Sequence, residues 1–96
     1  MEKVTTKLEY VLCAYARPIF LAITEPDEDN DIQVVISSLA FKTMNVGERV
    51  SYVFGLIRKH LPEILNDRLV IIQAYSPEEI EEVLDKVFLP ELDNKE

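Results

Sequence analysis

Tryptophan is missing from the 96 residues, cysteine and histidine occur once each, and glycine occurs twice. A single cysteine, Cys13, cannot close an internal disulfide, which suits a chain kept in a reducing compartment. Gly47 and Gly55 are too few for the glycine-rich loops that cradle phosphates. Paired Cys/His spacings that would hold zinc are absent as well. Cys13 and His60 are the only source of a thiolate–imidazole pair, and neither their spacing nor a third orienting group supports one. Long apolar runs are scarce too. The longest, Val11 to Ile23, is interrupted by Arg17 and Pro18 and is too short to span a bilayer. No basic segment followed by an apolar stretch and a small-residue cleavage site opens the chain, so no secretory signal is read and the cytoplasm is the expected location.

What is present suffices for one core. Apolar residues make up 48% of the chain, and the length falls below the point at which a second core is expected. One α+β domain over residues 1–90, followed by an acidic flexible tail over 91–96, is the expected organisation. The net charge of −8 is unevenly spread: three basic residues face seven acidic ones in 1–31, five face three in 32–76, and two face eight in 77–96. A mildly basic middle between acidic ends disfavours non-specific phosphate binding and attraction to an anionic membrane, while one local basic ridge can still form.

Hydrophobic periodicity supplies the elements. Between Glu2 and Ala16, Val4, Leu8, Val11, Leu12 and Tyr15 recur on one helical face, and Pro18 ends that helix. Ile19 to Thr24 and Ile32 to Ser37 read as strands joined by a polar hairpin loop, residues 25–31. Asn45 and Glu48 form a capping-box pattern ahead of Val46, Val50, Val53, Phe54, Ile57 and Leu61, so a second helix is predicted up to about His60, before Pro62. The run Leu69 to Ile72 reads as a strand covered on both faces or near the sheet centre. Ser76, Pro77 and Glu79 then open a third helix carrying Ile80, Val83, Leu84, Val87 and Phe88 on one face, with Leu89-Pro90 as its stop. The order is αββαβα, a three-stranded mixed sheet packed with helices in two layers. The first two strands form an antiparallel hairpin, and the helix between the second and third makes those two parallel.

Each candidate for chemistry has a plainer reading beside it. Asp27, Asp29 and Asp31 alternate as in the opening of a calcium loop, but Ile32 stands where glycine is required and Ser38 where a bidentate glutamate should close the site, so a solvated hairpin tip is expected. The acids of Glu78 to Asp85 read as the polar face of an amphipathic helix. Arg49, Tyr52, Leu56, Lys59 and His60 would form a second stripe on the middle helix, able to grip an acidic protein or a phosphate; the plainer reading is a solubilising surface.

Several of these positions carry a resemblance. Phe41 at the end of the second strand, Val46 and Arg49 at the start of the middle helix, Phe54 further along it, and Tyr75-Ser76-Pro77-Glu78-Glu79 ahead of the last helix resemble the BolA-like family, small αββαβα proteins related to the KH fold. The likeness covers about Ile19 to Phe88. It implies a BolA-like or KH-like two-layer domain. It also implies what this chain lacks: the family's Arg-His-Arg triplet reads Arg49-Val50-Ser51 here, and none of Asn66, Asp67 and Arg68 replaces the histidine that the family carries at the start of its third strand, which is associated with an iron–sulfur cluster shared with a monothiol glutaredoxin. The Gly-x-x-Gly clamp of KH-type RNA binders is missing too. His60 aligns with neither family histidine.

The resulting expectation is a non-catalytic protein-interaction or regulatory module with no cofactor and no metal, whose protein partner is unnamed. Arg49, Tyr52, Arg58, Lys59 and Arg68 are the partner-binding candidates. A KH-like nucleic-acid binder using Arg49, Arg58, Lys59 and Arg68 is the alternative, which the net charge disfavours. A homodimer is also expected, because alternation places Phe20, Ala22 and Val35 on the sheet face opposite Ile19, Leu21, Ile23, Val34 and Ile36.

Overall fold

The structure is a computed structural model that describes the backbone of residues 3–66 and 68–94 and the side chains of 3–66 and 68–85. The chain runs α1 (Val4–Tyr15), β1 (Phe20–Ile23), β2 (Ile32–Ser37), a 3₁₀ turn (Leu39–Thr43), α2 (Val46–His60), a second 3₁₀ turn (Pro62–Leu65), β3 (Val70–Tyr75) and α3 (Pro77–Asn94). Local chemistry accounts for most boundaries. Pro18 disfavours helical geometry at Arg17, which leaves α1 with φ at 49° in the left-handed region. Both predicted capping boxes form. Glu48 N–H donates to Asn45 Oδ1 and Asn45 N–H to Glu48 Oε1, each at 2.9 Å, while Glu79 N–H donates to Ser76 Oγ at 3.2 Å and Ser76 N–H to Glu79 Oε1 at 3.0 Å.

The sheet has the order β1-β2-β3. β1 and β2 are antiparallel, from Phe20 opposite Ser37 to Ile23 opposite Val34; β2 and β3 are parallel, from Ile32 beside Val70 to Ser37 beside Tyr75. Ile32, Val34 and Ile36 point to one side and meet Leu8 and Leu12 of α1, Ala16 just after it, Val53 and Ile57 of α2, and Phe41. Burying each such side chain contributes about 1.5–3 kcal/mol, so this layer of α1 and α2 on the sheet is what holds the domain together. Among the described residues, no helix is long and apolar enough to cross a membrane.

Several details depart from the sequence reading. The central strand is β2, and β3 lies at an edge. Leu69 and Ile71 are exposed while Val70 is buried, because alternate residues of this apolar run face the side of the sheet opposite α1 and α2. Phe41 does not continue β2. It sits fully buried in the 3₁₀ turn, where Ser38 Oγ accepts from Ala40 N–H and itself donates to Ala16 O at 2.9 Å. Ile19 precedes β1 and is exposed, although its N–H still donates to Ser37 O. α3 continues past Leu89-Pro90 to Asn94, so residues 91–94 of the expected tail are helical; a proline forfeits one helical hydrogen bond and kinks a helix without always ending it. Val87 and Phe88, expected on its apolar face, lie outside the residues whose side chains are described. The other sheet face carries Phe20, Val35 and Tyr75 half-buried, with Ala22, Gln33, Ile71 and Gln73 exposed.

Candidate functional site

Arg49 is the residue that the fold treats most differently from expectation. It is 6% exposed. On a helix of 3.6 residues per turn it shares its stripe with Val53 and Ile57, all three buried, whereas Val46, assigned to the core stripe from sequence, stands 64% exposed. Its Nε donates to Phe41 O at 3.1 Å and Met44 O at 3.0 Å; its Nη1 donates to Glu79 Oε1 at 2.6 Å and reaches Ala74 O at 3.4 Å. One guanidinium thereby ties the end of the first 3₁₀ turn, the last residues of β3 and the first turn of α3 to α2. The geometry suits arginine, whose planar fork offers five donors in fixed directions. Glu79 is held below the ordinary glutamate value, first by the hydrogen bond it accepts from Ser76 N–H and then by Arg49.

Tyr52 points toward α1. Its hydroxyl donates to Tyr15 O at 3.2 Å, and its ring meets Phe41 edge-on with centroids 6.4 Å apart. Tyr15 in turn stacks on His60, centroids 4.2 Å apart and planes 15° from parallel. Lys7, Tyr10, Val11, Tyr15, His60 and Leu61 line a recess of about 440 Å³ between the two helices. Tyr10 is 76% exposed and Tyr15 51%. Large aromatics left in water beside cationic side chains are the residue types that dominate interface energetics.

The remaining candidates are dispersed. Arg58 is exposed, with its guanidinium carbon 5.6 Å from the centre of the Phe54 ring, and lies well around α2 from Tyr52. Lys59 is exposed, and Arg68 is half-buried ahead of β3. The five sequence-derived residues therefore do not form one stripe, since Arg49 is turned inward as a clamp. Cys13 opens on a different recess, with Thr6, Glu9 and Tyr10, from the one that holds His60. The Asp27, Asp29 and Asp31 carboxylates approach within 4.8 Å of one another. Backbone groups already use two of them: Asp27 Oδ1 accepts from Asp29 N–H and Asp31 N–H, and Asp31 Oδ1 accepts from Leu69 N–H, so these two shape the hairpin and tether it to the residue ahead of β3.

Sequence reasoning missed two participants. Glu79 was assigned only its cap, yet the same oxygen receives Arg49 across 30 positions of sequence, a contact no local pattern signals. Tyr15 was assigned to the core stripe of α1 but sits at its exposed edge, in the last turn before the chain leaves at Arg17.

Known proteins share this architecture. BolA1 from Arabidopsis thaliana superposes with a TM-score of 0.69 at 25% identity, over 82% of this chain and 98% of that one. The BolA domain of SufE1 from Arabidopsis thaliana gives 0.68 at 19% identity, with the same coverages of 82% and 98%. A bol-like protein from Babesia bovis gives 0.68 at 20% identity, over 85% of this chain and 92% of that one. No protein-family profile matches the chain, and no curated protein matches it by sequence. The fold is BolA-like.

Proposed function

We propose that the chain is a non-catalytic protein-interaction module of BolA-like fold that acts in the cytoplasm and meets its partner through the face shared by α1 and α2. The observation that supports this most is the exposure of Tyr10 and Tyr15 beside Lys7 and His60, with Tyr52 bracing the two helices from below. Lys59, on the side of α2 that carries Tyr52, would extend this face with positive charge toward an acidic partner surface, and Arg58, further round α2, and Arg68, ahead of β3, would contribute from its margins. Charged groups at such a rim act mainly on association rate and specificity, and the aromatics carry most of the affinity. One similar structure is a BolA domain of a larger protein, SufE1, so this fold also serves as a part joined to others.

The test is capture of partners from the cell extract of the source organism by the purified chain, repeated with Tyr10→Ala/Tyr15→Ala and with Arg58→Glu/Lys59→Glu. Wild type should retain a protein that both variants release, while all three melt at similar temperatures. Retention of nothing by wild type, or equal retention by the variants, overturns the proposal. The nucleic-acid alternative has lost Arg49 from its four cations; fluorescence anisotropy with short oligonucleotides at low salt tests what is left of it. A homodimer through the open sheet face of Phe20, Val35, Ile71 and Tyr75 is the second reading, motivated by their partial exposure. Light scattering that gives monomer mass at high concentration removes it.

A further inference from the structure

A second surface lies at the other side of the Arg49 clamp. Where the last residues of β3 meet the starts of α2 and α3, a groove of about 450 Å³ opens to solvent. Val46 and Val50 of α2, Val83 of α3, and Ile72 and Ala74 of β3 supply its apolar lining. Val46 is the residue whose exposure breaks the periodic pattern of α2, and it stands at the mouth of this groove. The charged groups lining it are Glu79 and Glu82, both acidic, and no cation is among the described lining residues. Glu79 is already matched by Arg49, which leaves Glu82 uncompensated in the described contacts, and the neighbouring exposed positions of α3, Glu78, Glu81 and Asp85, are acidic as well. Among the described residues, the other cation near these acids is Lys42, 4.0 Å from Glu78.

We propose that this groove receives an apolar side chain of a partner segment whose flanking residues are lysine or arginine. The apolar walls supply burial, which is non-directional and stabilises any aliphatic group that fits. The acidic rim selects among such groups, since an anionic segment is repelled and a cationic one steered in. The proposal rests on the interaction-module reading and adds a distinct surface with partner chemistry opposite to that expected at Arg58 and Lys59.

The experiment is a titration of the ¹⁵N-labelled full chain with an acetylated peptide, Lys-Arg-Lys-Leu-Leu-Lys-Arg-Lys, and with its charge-inverted counterpart, Glu-Asp-Glu-Leu-Leu-Glu-Asp-Glu. The basic peptide should shift the amides of Val46, Val50, Ile72 and Val83 saturably. Glu82→Lys should weaken it by about fivefold or more, because an attraction at the rim becomes a repulsion. Val46→Ser, at an exposed position that leaves the core untouched, removes apolar wall without changing the charge and should weaken it as well. Equal binding of the acidic peptide overturns the proposal, and so do shifts confined to the acidic hairpin of residues 25–31, which would mark indiscriminate attraction of cations. Groove shifts that grow with protein concentration and no peptide would assign the site to a second copy and overturn it equally. Failure of the peptide while wild type still captures a partner that Arg58→Glu/Lys59→Glu releases would sink the groove and spare the interaction module; capture of nothing at all would sink the module.

Discussion

Replacing Arg49 by methionine separates a surface role from a structural one more sharply than any other single change. Methionine keeps the apolar stem that runs beside Val53 and removes every donor. The Nε–H is shared between Phe41 O at 3.1 Å and Met44 O at 3.0 Å and counts as one good charged bond; the reach to Ala74 O at 3.4 Å is weaker. Charged hydrogen bonds contribute about 1.5–3 kcal/mol each, and unsatisfied buried carbonyls add a penalty, so losing the carbonyl contacts alone should cost about 3 kcal/mol. For a domain of this length that corresponds to a fall in Tm of about 12–24 °C. An exposed arginine waiting for a partner would change stability by no more than about 0.5 kcal/mol. Urea denaturation followed by circular dichroism reads the difference as a lower midpoint with an unchanged slope. Glu79→Gln should cost less than Arg49→Met, because glutamine keeps an oxygen for Ser76 N–H and leaves the carbonyls bound. A Tm for Arg49→Met within about 3 °C of wild type refutes the clamp.

Glu79 should also make stability depend on pH. Its folded pKa is depressed, so its contribution is fully present above the ordinary glutamate value and is lost as pH falls through the lower folded value; denaturation at stepped pH should show the Glu79→Gln and wild-type curves converging toward acid. Asn45→Ala removes the acceptor of Glu48 N–H at 2.9 Å and should cost about 1 kcal/mol, read from the urea midpoint. Arg17→Gly should raise stability by about 0.5–1 kcal/mol, read as a higher urea midpoint, since φ of 49° strains a side chain that glycine lacks, partly offset by the greater freedom of glycine when unfolded; a lower midpoint would show that Arg17 makes compensating contacts.

The elements themselves were legible because their signals are local. Both capping boxes, the break at Pro18 and the mixed pairing of three strands follow from residues within a few positions of each other or from connection length. The layer that each apolar residue meets is not local information. Leu69 to Ile72 has the composition of a central strand, yet β2 takes the centre because it pairs with both neighbours, and the crossover through α2 leaves β3 outside. The same limit misplaced Arg49 and Val46. The expected stripe already held Val53 and Ile57, which are buried; periodicity leaves open whether Val46 and Val50 or Arg49 completes it, and hydrophobicity favours the valines. The carbonyls of Phe41 and Met44, which the end of the 3₁₀ turn presents to the start of α2, favour Arg49 by accepting from its guanidinium.

That choice of face determines which surfaces beside α2 stay open. With Arg49 inside, α2 turns Tyr52 toward α1 and leaves Val46 without cover, so among the described residues two open surfaces border α2, the tyrosine recess between α1 and α2 and the groove beside α3. The clamp joins them, because the residue that fixes the rotation of α2 also holds the first turn of α3 through Glu79. Both surfaces therefore depend on one buried cation that touches no partner, and a change at Arg49 that weakens binding at either surface acts through position, not contact. Rescue separates the two cases: a variant that loses binding together with stability, and regains binding at low temperature where the fold is intact, is a positioning defect.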